Sequence, residues 1–577
     1  MKATTTTRGL GSVVPATNTR NLAGGPAWEP QTDEKKLLLM TATNFVEDRY
    51  YQQGDQLMDQ IRAIVHGPLG QHRPEYVMGL AAYLRNELGL RAMPVFLTAM
   101  MATHPYWKQT LAPKTCVIGG KTVNWMREFG MKVLRRADEP AELLAAYNML
   151  SGNSGVMPRS MLRLLAQRLQ RITQYDAIKY HGRSRSIEMR DAIRISRPKP
   201  TSPEQEALFD WLVNFEAEGR TFDMAWAQER GLTDVVNKFR VDLAEDIESV
   251  ADIARGPAWN NITSKFGRTK EAWTMAAASM QPMAYVMNIR SILQMTDLPV
   301  DRDRIMAAAD GLVFPYRFYS AREALKAASG TITGGRYRDA ILALEEAMVR
   351  SCRNIPEVGN ALILVDVSGS MDEKVSEKSE RCLRDIAALF AAAIYKKSDH
   401  ADIIAYNNRA FRVNVDPSYG IGAIMDAIPQ AGGATSVTNA LYEGALTGNK
   451  YDMVFALTDN ESWLPGTQRV PRKQVGETRP CQAYYRGDTV FQSEPLKMLR
   501  HRNPGMKLVN VCLGGYGTLD FPEAPWVLEL SGMNDSMFKL LGGWRRDGMV
   551  KDVEDYIRKV ATATYKGPDN NGCGEPG

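Results

Sequence analysis

The sequence predicts a multidomain protein of α and α/β class, a helical region followed by a doubly wound parallel-sheet region, and three observations carry that prediction. The chain has 577 residues, too many for one ordinary hydrophobic core. From Asp33 to about Arg353, leucine, alanine and methionine recur at three- and four-residue spacings, the period of helices with one buried face. After Asn354, short apolar runs alternate with helix-patterned stretches, as in a mainly parallel sheet covered by helices on both faces.

Helical stretches include EYVMGLAAYLRNELGL, PAELLAAYNML, RSMLRLLAQRLQRITQYDAIKY, PEQEALFDWLVNFEAEG and RYRDAILALEEAMVR. Short breaks rich in Gly or Pro separate them, such as GLRAMP, SGNSGVMP and SRPKPTSP. Many helices joined by short turns predict an α-solenoid of stacked pairs, and a compact bundle fits the same pattern. The later region runs ALILVDV, CLRDIAALFAAAIYKK, ADIIAYN, GIGAIMDAI, TNALYEGAL, MVFALTD, LKMLRHR, KLVNVCLGG and VKDVEDYIRKVATA. The expected division is a flexible segment 1–24, a helical domain 25–355, an α/β domain 356–563 and a flexible tail 564–577.

Hydrophobic content of 44% and charged content of 24% are those of a soluble globular chain. No window approaches the roughly 20 unbroken apolar residues of a membrane helix, and the first residues lack an apolar signal core, so the expected location is the cytoplasm, with no membrane partner. Six cysteines without a CxxC pair argue against a disulfide framework or a zinc ribbon. The six histidines are dispersed and form no HExxH, so any metal is expected on oxygen ligands.

The run ALILVDVSGS ends an apolar strand in a carboxylate followed by hydroxyls at alternate positions, Asp366, Ser368 and Ser370. In extended backbone that spacing puts all three on one side, and in open α/β sheets ligands lie beyond the carboxyl ends of the strands. Carboxylate plus hydroxyl is hard-oxygen chemistry, suited to Mg²⁺. Two further segments strengthen the reading. AGGATSVTNAL offers Thr435 in a Gly-rich turn before a helix, and MVFALTDNES ends a second apolar strand in Asp459. A haloacid-dehalogenase-like phosphatase would need a second carboxylate where Ser368 stands, and no nearby His or Lys offers a general base, so no catalytic residue and no enzyme are expected.

Between Arg159 and Lys199 eleven Lys or Arg face three acids, a net +8, although the whole chain carries only +5. At about 100° per residue, Leu162, Leu165, Leu169 and Ile172 share one face of a helix, with Arg163 and Arg171 opposite and Arg168 on the flank. Lys179, Arg183, Arg185, Arg190, Arg194, Arg197 and Lys199 continue the run. Solvated faces normally mix signs, so one-sided charge points to a phosphate-bearing partner, nucleic acid before others.

The set Asp366, Ser368, Ser370, Thr435 and Asp459 resembles the metal-ion-dependent adhesion site of von Willebrand factor A domains. A helical region with a basic segment followed by such a domain resembles the Ro autoantigen family of TROVE-domain RNA-binding proteins. KYHGRSRSIEMRDAIRISRPKP matches the family pattern at Lys179, Tyr180, Asp191, Arg194, Ser196, Lys199 and Pro200, LGLRAMPVF matches its helix turn at Arg91, VMNIRSILQM resembles a helix near Arg290, and DVSGSM with TDNE matches its A domain. The sequence departs from the pattern in three places. Arg197 stands where the family has a histidine that contacts Y RNA, Tyr50 and Tyr51 lack the neighbouring glycines, and the stretch after Asp459 is long and basic.

The resemblance implies a ring of HEAT-like helical repeats closed by the A domain, with small noncoding Y-like RNA on a basic outer surface. Single-stranded 3′ ends of structured or misfolded RNA would enter a central hole, in support of RNA quality control or decay. An exoribonuclease such as polynucleotide phosphorylase would be a partner, and the protein would be monomeric within its RNA complex. A pure interaction scaffold, docking an acidic partner through Mg²⁺, explains the metal residues equally well but leaves the +8 segment unexplained.

Overall fold

The computed structural model of the chain describes residues 18–42, 54–110, 113–152, 157–180, 187–214, 224–242, 259–311, 313–332, 334–375, 381–430, 432–462, 493–514, 517–531, 538, 541 and 549–563. It forms two compact units, one of Met1–Ile61 with Arg240–Gly548 and one of Arg62–Phe239 with Met549–Gly577. The units cut across the boundary expected near residue 355. None of the helices among the described residues is long and apolar enough to cross a membrane.

The first unit begins with a small antiparallel hairpin of β1 (Thr19–Arg20) and β2 (Pro26–Ala27), turned at Gly24 with φ of +87°. Residues 18–24 were expected to be flexible. They are tied down instead, because Trp28 exchanges two backbone hydrogen bonds of 3.0 Å with Leu519 and anchors the hairpin.

In the second unit, helix Pro74–Asn86 packs on Ala92–Thr103 and on Trp125–Val133. Before the latter comes a short hairpin, β3 (Thr115–Ile118) with β4 (Lys121–Asn124). Helix Arg159–Leu169 packs on Trp125–Val133 and on Met189–Ser196. The apolar pattern from 159 to 180 is interrupted, because Thr173 and Asp176 cap a new helix start reciprocally (3.1 Å each way) and Gln174–Tyr180 is a separate helix. The last helix, Met549–Thr562, was expected in the α/β domain and belongs here. Its buried face of Val553, Ile557 and Ala561 lies on Pro74–Asn86, where Gly79 makes room: a Cβ there would come within 2.2 Å of Ile557. Amphipathicity demanded an apolar partner for this helix, and tertiary packing chose which one.

In the first unit, helices Pro315–Lys326 and Arg336–Ser351 pack on each other and on helices Leu383–Lys396 and Ile421–Ala427 of the α/β region. The buried Arg322 guanidinium meets Glu345 (2.5 Å), whose carboxylate accepts the Gly422 amide (3.3 Å). A partly buried ion pair thus joins segments that sequence pattern alone would separate.

The sheet holds β5 (Asn360–Asp366), β6 (His400–Tyr406), β7 (Ala410–Val413), β8 (Met453–Thr458), β9 (Lys507–Cys512) and β10 (Val527–Ser531) in the order β10-β9-β8-β5-β6-β7. All pairs are parallel except β6 with β7, so the sheet is mixed, with an antiparallel edge. Strands β5 and β8 are buried along nearly their whole length, which explains their unbroken apolar runs. Helix Val437–Leu446 seats on one face against Leu362 and Leu364, and Gly444 permits it, since a Cβ there would lie 2.3 Å from Leu362. Asp366 pairs with Tyr406 and Thr458 with Cys512, so these strands finish at a common edge.

Candidate functional site

The first strand of the sheet, β5, lies between β6 and β8, so chain order reverses on either side of it and the crevice falls at the carboxyl ends of β5 and β8. Asp366 closes β5, and Asp459 follows β8 directly. Both are completely buried, and neither has an ion-pair partner among the described residues. The Ser368 amide donates to Asp366 Oδ1 (2.9 Å) and the Thr458 hydroxyl to Oδ2 (3.0 Å). Ser368 and Ser370 share a hydroxyl contact of 3.3 Å. The Gly369 amide donates to the Gly433 carbonyl (3.0 Å), which draws the loop bearing the buried Thr435 onto the Asp366–Ser370 turn. The Asn407 side chain donates to Gly432 O (2.6 Å) and the Ser436 amide to Asn407 O (2.9 Å), fixing that loop to the end of β6.

Burial, and then the charge of Asp459, hold the Asp366 carboxyl above its ordinary range. Burial likewise raises Asp459, against the Ser370 hydroxyl and backbone amides that favour its charged form. Asp459 Oδ1 accepts the Glu461 amide (3.1 Å), while Oδ2 has no hydrogen-bond partner among the described residues. Two buried carboxylates without a basic neighbour among the described residues, one with an orphaned oxygen, beside three buried hydroxyls make a donor set suited to a hard divalent cation. Among the described residues no three His, Cys, Asp or Glu gather as a metal cage, so hydroxyls are essential to any site here.

The basic residues fare less uniformly. Arg163, Arg171, Arg194, Arg197 and Lys199 are exposed, as is Arg159. Arg194 donates to Val213 O (2.6 Å), and Arg197 caps its helix in left-handed backbone (φ 47°). Arg168 was expected on the flank and is instead buried, donating to Arg135 O (2.6 Å). The reason is a rotation of the buried face, which is made of Met161, Leu164, Leu165, Arg168 and Leu169, with Leu162 only half-buried. Arg190 pairs with Glu188 (3.1 Å), and Arg91 lies among Glu142 (3.4 Å), Asp138 (3.8 Å) and Glu139 (3.9 Å), so neither is a free cation. Lys179 lies in helix Gln174–Tyr180, but its side chain, with Arg183, Arg185 and the basic stretch 463–492, lies outside the described residues.

Sequence reasoning missed Thr458, Asn460, Ser462 and Asn510 around the acids. Thr458 could have been found, since it precedes Asp459 at the end of an apolar strand; the others carry no local signal.

An open, mixed sheet of this strand order with acids and hydroxyls gathered at its switch point defines a von Willebrand factor A domain. The family model for the Ro60 vWA domain matches residues 360–471. Among solved structures, the Ro (RSR) protein of Deinococcus radiodurans is similar over 92% of this chain and 100% of its own, with a TM-score of 0.54 and 16% identity. Proximal thread matrix protein 1 from the mussel byssus is matched over 40% of this chain and 54% of its own, with a TM-score of 0.20 and 14% identity. No curated protein matches the chain by sequence. The chain thus carries a vWA domain matched by the Ro60 model after a mostly helical N-terminal part, and its fold is similar to that of the Ro (RSR) protein.

Proposed function

We propose that this protein binds RNA in the Ro manner, taking a small noncoding Y-like RNA, or a structured or misfolded RNA with a free 3′ end, on the cationic surface of residues 159–199. One observation carries the reading. Arg159, Arg163, Arg171, Arg194, Arg197 and Lys199 are all exposed, and none has an acidic partner among the described residues. Surface helices ordinarily pair charges of both signs, whereas unpaired cations in one stretch are suited to phosphates. Such contacts neutralise the backbone without reading bases, so selection would rest on RNA shape and free ends. The role is binding rather than catalysis, in RNA quality control or decay.

Mg²⁺ would be held by Asp366, Ser368, Ser370, Thr435 and Asp459, and when bound it would offer an open position to an acidic group of a partner. An exoribonuclease such as polynucleotide phosphorylase fits that description. The orphaned Asp459 oxygen equally favours a second reading, a scaffold that docks an acidic partner and takes no RNA.

Filter retention of a structured RNA with a single-stranded 3′ tail, at low and moderate salt, separates the two. The expected result is retention that weakens with salt, and better competition by the tailed RNA than by its blunt, fully paired counterpart. No retention at moderate salt would overturn RNA binding and leave the scaffold.

A further inference from the structure

The segment behind Asp459 is held from two sides by residues that no motif announces. Asn460 is buried in left-handed backbone (φ 65°), so the chain turns sharply straight after the acid. Its side chain is fixed at both ends. Nδ2 donates to Thr518 O (2.9 Å), and Oδ1 accepts from Asn510 Nδ2 (2.7 Å), which also donates to Glu529 Oε2 (2.7 Å).

The N-terminal hairpin holds the other side. Asn21 is buried, and its Nδ2 donates to the carbonyls of Ser462 (2.9 Å) and Asn460 (3.4 Å). Its Oδ1 accepts the Gly25 amide (2.6 Å), which closes the hairpin turn, and the Ala23 amide donates to Glu461 Oε2 (2.7 Å). The Ser462 hydroxyl in turn accepts the Val437 amide (3.1 Å), two residues beyond Thr435. One asparagine, 441 positions away from Ser462 in sequence, therefore touches the segment of a metal-site acid and, through Ser462, the loop of a metal-site hydroxyl.

We propose that Asn21 is a positioning residue for the metal centre: the N-terminal hairpin clamps Asn460–Ser462 so that Asp459 and Thr435 converge on the ion. The proposal rests on the reading of Asp366, Ser368, Ser370, Thr435 and Asp459 as a divalent-cation site. The physical reason is preorganisation. Groups that fix the ligands of a metal spare the ion the cost of ordering them, and losing such a group lowers affinity by about 10- to 100-fold in known sites.

The test uses the full chain, with Mn²⁺ as the probe, free Mn²⁺ read by electron paramagnetic resonance and thermal stability read separately in EDTA. The unaltered chain should bind Mn²⁺ and Asp366→Ala should not. Asn21→Ala should weaken Mn²⁺ binding by about tenfold, a change beyond any loss of stability measured in EDTA. Gly24→Val gives a second arm, because it strains the hairpin turn at φ +87°, where an added Cβ meets no described atom within 4 Å, and touches no metal loop. It should weaken Mn²⁺ binding in the same direction, and it decides alone if Asn21→Ala does not fold. Binding within about twofold of the unaltered chain in these variants, while Asp366→Ala abolishes it, would overturn the clamp and spare the metal reading. No Mn²⁺ binding by the unaltered chain would overturn the metal reading and the clamp together.

Discussion

The edge of the sheet and the basic segment present opposite cases. At the sheet edge, five residues scattered between Asp366 and Asp459 come to one buried place. In the basic segment, the eight cations whose side chains are described meet different fates: six stand exposed with no acidic partner among the described residues, Arg168 is buried against Arg135 O, and Arg190 is paired with Glu188. The difference lies in what directs a side chain. A strand end inherits its direction from pleat and register, both of which follow from local pattern. A helix rim inherits only an angle, and whether a cation there meets solvent, a carbonyl or an acid depends on elements far away in sequence.

The comparison breaks most sharply if the two regions prove to be one. Replacing Asp366 and Ser368 by Ala should abolish divalent-cation binding, and with it any Mg²⁺-dependent rise in melting temperature, while RNA affinity changes little. Isothermal titration and filter binding check this, and a large loss of RNA affinity in the folded double variant would merge the regions. Saturating Mg²⁺ at a hundred times its dissociation constant should stabilise the unaltered chain by about 2.7 kcal/mol, all of it removed by EDTA.

Charge reversal at Arg163, Arg171 and Lys179 should flatten the dependence of log K on log salt by roughly two to three, about 0.7 to 0.9 per phosphate contact, and leave the metal site intact. An unchanged salt slope in a variant shown by circular dichroism to be folded would make the segment a merely solvated face.

Arg168 sharpens the contrast within the segment. Arg168→Ala removes a buried side chain and orphans the Arg135 carbonyl, which should cost about 2–3 kcal/mol in urea denaturation. Arg163→Glu should stay within about 0.5 kcal/mol of the unaltered chain. Equal effects would mean that Arg168 is no more structural than its neighbours.

A smaller effect than that of Arg168→Ala, and opposite in sign, is expected at Arg197, whose left-handed backbone favours glycine. Arg197→Gly should raise stability by up to about 1 kcal/mol while removing one cation from the proposed RNA surface. Loss of stability would show that the arginine side chain, rather than backbone strain, dominates there.

By itself the sequence determined the change from helices to an alternating α/β region and the buried strands β5 and β8, and it singled out the five buried residues on which the candidate metal centre is proposed. It could do so because apolar runs, strand parity and Gly-rich turns are local, and each fixes the direction of its own side chains. Only the tertiary structure decided that helix Met549–Thr562 leaves the sheet for Pro74–Asn86, because an amphipathic face states that it needs a partner without naming one. Only the tertiary structure turned Arg168 inward, since a helix face a few tens of degrees from the expected one exchanges Leu162 for Leu164. The same holds for Asn21 and Asn510, whose hydrogen bonds to the segment behind Asp459 join parts of the chain that no periodicity connects. Local pattern sets where a side chain points; burial and hydrogen-bond partners come from whatever the fold brings opposite it.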